Sequence, residues 1–183
     1  MRDILNTGVR LLIITLVAAL LLSGTYLLTR GPIARHEIES EHASRLAVVP
    51  DASSFEVVDE AVFTGAGGID GMREVYKVFK DGELYGYTFL ITTQGYSGQI
   101  PVTVGILIDG RISAISIGDI METQGIGTQI LDESYISQYA GLATNELNRV
   151  DAISHATISS DAVKKAVRGA FNAYALLGGG GAE

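Results

Sequence analysis

The sequence has 183 residues, a formal net charge of −8 and no cysteine. The acidic balance argues against a nucleic-acid partner, because binding to phosphates requires a basic surface. The lack of cysteine excludes disulfides, cysteine-ligated zinc and cysteine-ligated iron–sulfur clusters. Hydrophobic residues make up 47% of the chain, which is enough for one packed domain and a membrane anchor.

An uncharged segment near the N-terminus predicts a membrane-spanning helix. Leu11 to Leu28 contains no charged residue, and Arg10 and Arg30 flank it. As a helix it would be about 27 Å long, close to the thickness of a bilayer's hydrocarbon core. A cleaved signal peptide is the alternative, but no A-x-A-like cleavage site lies near Gly24. We therefore expect one uncleaved anchor in membrane lipid. The flanking positive charges do not decide its orientation.

The composition of the chain predicts four successive segments. Residues 1–30 are predicted to be an N-terminal tail and anchor, and Gly31-Pro32 is expected to end the membrane helix. Residues 31–50 are predicted to form a polar juxtamembrane helix that acts as a solvated stalk rather than docking on the domain. Residues 51–177 should be one folded domain, followed by a disordered tail at 178–183.

Two Asp-Gly pairs indicate β-hairpins in the middle of the chain. Asp81-Gly82 and Asp109-Gly110 each separate two segments rich in β-branched and aromatic residues, and this arrangement is a strong hairpin signal. The predicted strands are Arg73–Lys80, Leu84–Thr92, Ile100–Ile108 and Arg111–Ile117. Their close succession predicts a twisted antiparallel sheet.

Helical spacing of apolar residues returns in the last third of the chain. It predicts a short helix within residues 130–142 and a longer one from about Ser160 to Leu177. Ser159 or Ser160 is expected to cap the longer helix. Together with the sheet, these helices place the domain in the α+β class.

Three loops contain residues suited to ligand binding. In DAISHATISS (151–160) small hydroxyl residues surround the expected helix start, where unpaired N–H groups favour a phosphate, and Thr157 is a candidate attachment point. The glycines of GYSGQI (95–100) and ETQGIG (122–127) would let a flat ligand approach the backbone. Taken singly, each segment has an ordinary alternative: a helix cap for the first and connecting loops for the other two.

The order GYSGQIPVTVGI, ETQGIG, DAISHATISS resembles the FMN-binding domain of the Rnf complex G subunit and the related C subunit of the sodium-translocating NADH:quinone reductase. The resemblance covers roughly residues 76–177, and the single anchor and the length suit the Rnf protein. It implies an electron-transfer subunit of an ion-translocating ferredoxin:NAD oxidoreductase complex, without an independent active site. It also implies a single-pass protein of the cytoplasmic membrane, whose soluble domain lies on the outer side and contacts other membrane redox subunits.

The resemblance also implies roles for individual residues. Thr157 would bind FMN covalently through a phosphoester that a separate flavin transferase installs, and Asp151 would help that transferase to recognise the motif. The phosphate and ribityl end would be lined by Ser154, Ala156, Ile158 and Ser159. The isoalloxazine would be approached by Glu122, Thr123, Gly125, Tyr96, Ser97 and Gly98. No catalytic residue and no metal ligand is implied.

The chain departs from the family pattern most clearly at His155, where a glycine is usual. If that position requires a positive φ, histidine is tolerated there at an energetic cost. Gln124 and Ser97 are milder departures, from proline and glycine. Three alternatives therefore stay open: an anchored scaffold that binds FMN weakly or not at all, the quinone-reductase C subunit, and an extracellular reductase with the same domain.

Overall fold

The computed structural model of the chain describes residues 2–59 and 69–178. The predicted tail at 178–183 therefore lies outside the described residues, apart from Gly178. Two compact units are present, Met1–Ser40 and Glu41–Glu183. The second unit begins earlier than the domain boundary predicted at residue 51.

The first unit contains a single long helix. Helix α1 spans Arg2–Val48, and its segment Asn6–Gly31 is long and apolar enough to cross a membrane. No residue in the most apolar part of this segment is buried. The side chains of Leu20 and Leu22, for example, are 65% and 72% exposed. A helix that is apolar on all sides and covered by no other element is suited to contact with lipid.

The predicted helix end at Gly31-Pro32 is wrong, because α1 continues to Val48. A proline inside a helix removes one backbone hydrogen bond and disturbs the preceding turn. Fifteen or more helical residues on either side supply enough other hydrogen bonds for the helix to continue.

The second unit contains a five-stranded antiparallel sheet in which each strand pairs with the next along the chain. Asp81 and Gly82 both have positive φ, 52° and 85°, as a tight two-residue hairpin turn requires. The structure thus confirms the predicted sheet and the α+β class. The strands are β1 Ser54–Val57, β2 Met72–Lys80, β3 Glu83–Gln94, β4 Gln99–Leu107 and β5 Ile112–Ile117.

One face of this sheet forms the main core. The strand register places Val75, Phe89, Val104 and Ile115 side by side, and all four are buried. The last helix, α3, spans Thr157–Leu176 and packs against β3 and β4 on this face. Its buried residues include Val163, Ala166, Val167, Ala170 and Phe171.

The opposite face is covered by the C-terminal end of α1. Val48 and the following Val49 are fully buried against Val78, and a Cβ at Gly105 would lie 2.8 Å from the Val48 carbonyl oxygen. Arg45 Nη1 also lies 3.3 Å from Glu74 Oε2. The prediction of a solvated stalk is therefore wrong for this end of the helix, which packs directly on the sheet.

Residues 127–149 form several short helical turns rather than the one short helix predicted for 130–142. Helix α2 covers only Glu133–Ile136, with 3₁₀ turns on both sides. The Tyr135 and Tyr139 hydroxyls lie 2.9 Å apart, and the Tyr135 hydroxyl donates to the Ser160 carbonyl at 3.1 Å. Burial raises the pKa of both tyrosines, so they stay neutral and able to donate at the start of α3.

Candidate functional site

The DAISHATISS segment forms a closed turn that leads directly into α3. The Ala156 N–H donates to the Ile153 carbonyl at 3.0 Å, and His155 within this turn has φ 68°. The Ser160 hydroxyl accepts from the Ile153 N–H at 3.1 Å. The predicted cap is therefore wrong: α3 begins at Thr157 with Ala156 before it, and Ser160 closes the turn from inside the helix.

Thr157 is exposed at the first position of α3. The first α-helical bond of this helix is donated by Ser160 to the Ala156 carbonyl, so the preceding N–H groups have no partner within the helix. Ala156 has no side-chain oxygen that could accept from them. The helix entry therefore presents outward-facing donors and the positive end of the helix dipole beside the Thr157 hydroxyl.

An open cleft of about 530 Å³ lies next to this helix entry. It brings together residues from all three motif loops, so the structure places the three sequence motifs in one site. Its lining residues are Tyr96, Glu122, Thr123, Ile126, Gly127, His155, Ala156, Thr157, Ile158 and Ser159. Tyr96, Ile126 and Ile158 are 69%, 44% and 54% exposed and all line this one cleft, which leaves their surfaces available to a ligand.

Glu122 is the one buried carboxylate of this cleft within the described residues. One of its oxygens accepts from the N–H groups of Ser97 and Gly98, in the loop of residues 95–98 that we call the Tyr96 loop. The other oxygen accepts from the Ser159 hydroxyl at 2.6 Å. Burial by itself raises the pKa of Glu122. The hydrogen bonds from Ser159 and from residues 96–98 outweigh burial and lower the pKa below its ordinary value.

Seven of the eleven residues expected to hold FMN line the cleft, and the other four, Ser97, Gly98, Gly125 and Ser154, do not. The Ser97 and Gly98 N–H groups point to Glu122, and Gly125, with φ 76°, donates to the Thr128 hydroxyl at 2.9 Å. Ser154 is exposed in the turn before α3. Asp151, expected to serve the transferase, is also exposed. Their roles toward FMN stay predictions.

Ile126 and His155 line the cleft although they were not expected to contact the ligand, and Gly127, one of the glycines expected to let a flat ligand approach, lines it too. Ile126 and Gly127 belong to ETQGIG, where an apolar residue between two glycines could have indicated a contact surface. His155, which stands where the family usually has glycine, is exposed.

Replacing His155 by glycine should stabilise the protein. The left-handed conformation at φ 68° costs a residue with a Cβ about 1–2 kcal/mol, whereas glycine adopts it freely but loses more entropy on folding. We expect His155→Gly to raise the free energy of unfolding by about 0.5–1 kcal/mol. Chemical denaturation of the full chain in detergent measures this change. An unchanged or lower stability would show that the His155 side chain makes compensating contacts.

Comparison with known protein families agrees with this geometry. Residues 95–172 match the family model described as an FMN-binding domain. The matched range begins in the Tyr96 loop and ends within α3, so it includes every residue that lines the cleft.

Relatives that match over most of the chain are G subunits of ion-translocating oxidoreductase complexes. The G subunit of the Na⁺-translocating ferredoxin:NAD⁺ oxidoreductase complex of Acetobacterium woodii is 29% identical, over 95% of this chain and 93% of the relative. The G subunit of the proton-translocating ferredoxin:NAD⁺ oxidoreductase complex of Clostridium ljungdahlii is 24% identical, over 90% of this chain and 88% of the relative. The G subunit of the ion-translocating oxidoreductase complex of Methanosarcina acetivorans is 30% identical over 92% and 93%. Because that identity extends over nearly the full length of both proteins, the chain belongs to the family of G subunits of ion-translocating oxidoreductase complexes.

Proposed function

We propose that this protein is a membrane-anchored electron-transfer subunit that carries FMN covalently on Thr157, within an ion-translocating ferredoxin:NAD oxidoreductase complex. The main support is the position of Thr157, whose hydroxyl-bearing side chain is exposed at the start of α3 and at the edge of the shared cleft. The FMN-binding family match and the relatives from such complexes support the choice of cofactor and complex.

The residues of the cleft fit FMN in both size and chemistry. A volume of about 530 Å³ lies within the range of about 300–1,000 Å³ that is typical of small-molecule sites. The exposed side chains of Tyr96, Ile126 and Ile158 offer apolar surface to a flat ring. The unpaired N–H groups at the start of α3 offer donors to a phosphate.

Each part of the site would then have a distinct role. The Thr157 hydroxyl would lose its proton and its oxygen would replace a leaving group on the FMN phosphorus, so that the chain gains one FMN less one water. The helix start would hold the remaining phosphate charge. The apolar cleft residues would orient the ring system and exclude water from one of its sides. FMN itself supplies the ability to pass single electrons, and the protein supplies its position and electrostatic surroundings.

The Asn6–Gly31 helix would anchor the protein in the cytoplasmic membrane beside other redox subunits, with the folded domain on the outer side. The absence of cysteine permits a simple test of this orientation. In intact cells, a membrane-impermeant maleimide should label a single cysteine introduced at the exposed position Asn172 on α3. Labelling that requires membrane disruption would place the domain on the inner side.

Covalent flavin loading tests the proposed function itself. The full chain, co-expressed with a flavin transferase, should give a fluorescent band at its own size on a denaturing gel. The same chain expressed without the transferase should give none. A folded protein that shows no flavin after co-expression would support the alternative of an anchored scaffold.

A further inference from the structure

We infer that Glu122 is a positioning residue whose carboxylate holds the Tyr96 loop and helix α3 together, and so assembles the cleft before any cofactor is present. The hydrogen bonds of this residue are a property of the chain alone. Only the consequence for flavin rests on the proposed function.

The two carboxylate oxygens of Glu122 bind two different segments, the Tyr96 loop and helix α3. Oε1 accepts from the N–H groups of Ser97 at 3.0 Å and Gly98 at 3.3 Å, in a loop closed by the bond from Gly95 N–H to the Gly98 carbonyl. Oε2 accepts from the hydroxyl of Ser159, in the first turn of α3, at 2.6 Å. Glu122 is only 9% exposed, so these donors replace the water that the charge would otherwise bind.

Two glycines provide the space that this carboxylate occupies. A Cβ at Gly95 would lie 2.6 Å from Oε1, and a Cβ at Gly127 would lie 2.7 Å from Oε2. One glycine comes from the GYSGQI loop and the other from ETQGIG, while Ser159 comes from DAISHATISS. The three motifs therefore meet at the Glu122 side chain. We call this group of residues the Glu122 cluster: Glu122, Gly95, Ser97, Gly98, Gly127 and Ser159.

This arrangement gives Glu122 an indirect role toward FMN. Because both oxygens are used within the protein, contacts from this loop to the isoalloxazine would fall to Thr123 and Ile126, which also line the cleft. The position of Tyr96 would depend on Glu122 through the adjacent N–H groups. In addition, a fixed negative charge bordering the cleft should disfavour the addition of an electron to the ring.

Hydrogen exchange in the flavin-free full chain tests the cluster independently of the cofactor. In detergent-solubilised protein made without transferase, Glu122→Ala should speed amide exchange in peptides covering residues 95–98 by about tenfold or more, since bonds to a charged group are lost. Glu122→Gln should have a smaller effect, because the amide keeps one acceptor oxygen. Glu133→Gln removes the same charge at an exposed site and should have none.

Exchange in β4 serves as the internal reference. If Glu122→Ala also speeds exchange throughout β4, the protein has unfolded globally and this variant does not test the loop. Loop exchange in Glu122→Gln is then compared with that of the native chain. Loop exchange in Glu122→Gln equal to that of the native chain would then overturn the inference. Unchanged loop exchange in a folded Glu122→Ala protein would overturn it directly.

Flavin measurements test the consequence. With the transferase present, Glu122→Ala should reduce covalent loading by tenfold or more, and the loaded Glu122→Gln protein should have a higher midpoint potential than the native chain. Glu133→Gln should match the native chain in both. If the native chain itself takes up no flavin, the proposed function fails while the exchange result stands. If both Glu122 variants had the same covalent loading and the same midpoint potential as the native chain, the positioning role toward FMN would be contradicted.

Discussion

Thr157→Ala should abolish covalent flavin attachment while leaving the domain folded. The substitution removes the one oxygen through which the phosphoester would form. It should change the free energy of unfolding by no more than about 0.5 kcal/mol, because Thr157 is exposed and no hydrogen bond of its side chain supports the helix start. In-gel fluorescence measures the attachment, and circular dichroism confirms the fold.

Two matched variants make this result specific. Thr157→Ser keeps a hydroxyl at the same place and should keep covalent flavin, although at a lower yield. Ser134→Ala removes a hydroxyl from an exposed position of α2, away from the cleft, and should keep the flavin as well. A fluorescent band that persists in Thr157→Ala, or that disappears equally in Ser134→Ala, would contradict attachment through Thr157.

Gly127→Ala should disrupt the cleft through steric overlap. The added Cβ would lie 2.7 Å from Glu122 Oε2 and 2.8 Å from Glu122 Cβ, closer than such atoms can approach. Either Glu122 leaves its hydrogen bonds or the ETQGIG loop moves away from α3. We expect a loss of about 1–3 kcal/mol in unfolding free energy, typical of overpacking, and loss of most flavin loading. Chemical denaturation and in-gel fluorescence measure the two effects.

Gly125→Ala provides the contrast within the same loop. A Cβ at Gly125 meets nothing within 4 Å, but the backbone has φ 76°. The expected cost is therefore conformational, about 1 kcal/mol, and the Glu122 cluster should stay intact. If Gly127→Ala were as mild as Gly125→Ala in both stability and loading, the packing around Glu122 would be looser than the structure indicates.

Local signals in the sequence were sufficient to predict the sheet. The Asp81-Gly82 pair encodes its own turn geometry, because Asp and Gly both tolerate positive φ. Strand periodicity then predicted which segments pair. The order of the three motifs led to the prediction of one shared site. The structure brings Tyr96, Glu122 and Thr157, one residue from each motif, to one cleft, and their roles toward FMN stay predictions.

The errors arose where contacts between distant residues decide the structure. Ser160 was expected to cap α3, but its hydroxyl accepts from Ile153 N–H, an arrangement that depends on how the preceding turn folds back. The end of α1 was expected to be solvated, but Val48 packs on the sheet because Gly105 leaves space for it. Sequence spacing contains no information about either contact.

The backbone conformation of His155 gives a physical reason why glycine is usual at this position. The resemblance indicated a position at which glycine is usual, and the structure gives His155 a φ of 68°, the region that glycine favours. Histidine therefore has an identifiable conformational cost at this position, and in this chain the turn is closed and Thr157 is exposed.

The most direct test of covalent FMN on Thr157 is a peptide mass. Tryptic cleavage after Arg149 and Lys164 releases residues 150–164, which contain the whole turn and the start of α3. From chain co-expressed with the transferase, this peptide should carry the mass of one FMN less one water, with fragment ions that locate the addition on Thr157. An unmodified peptide from folded protein, or an addition located on another residue, would contradict the proposal.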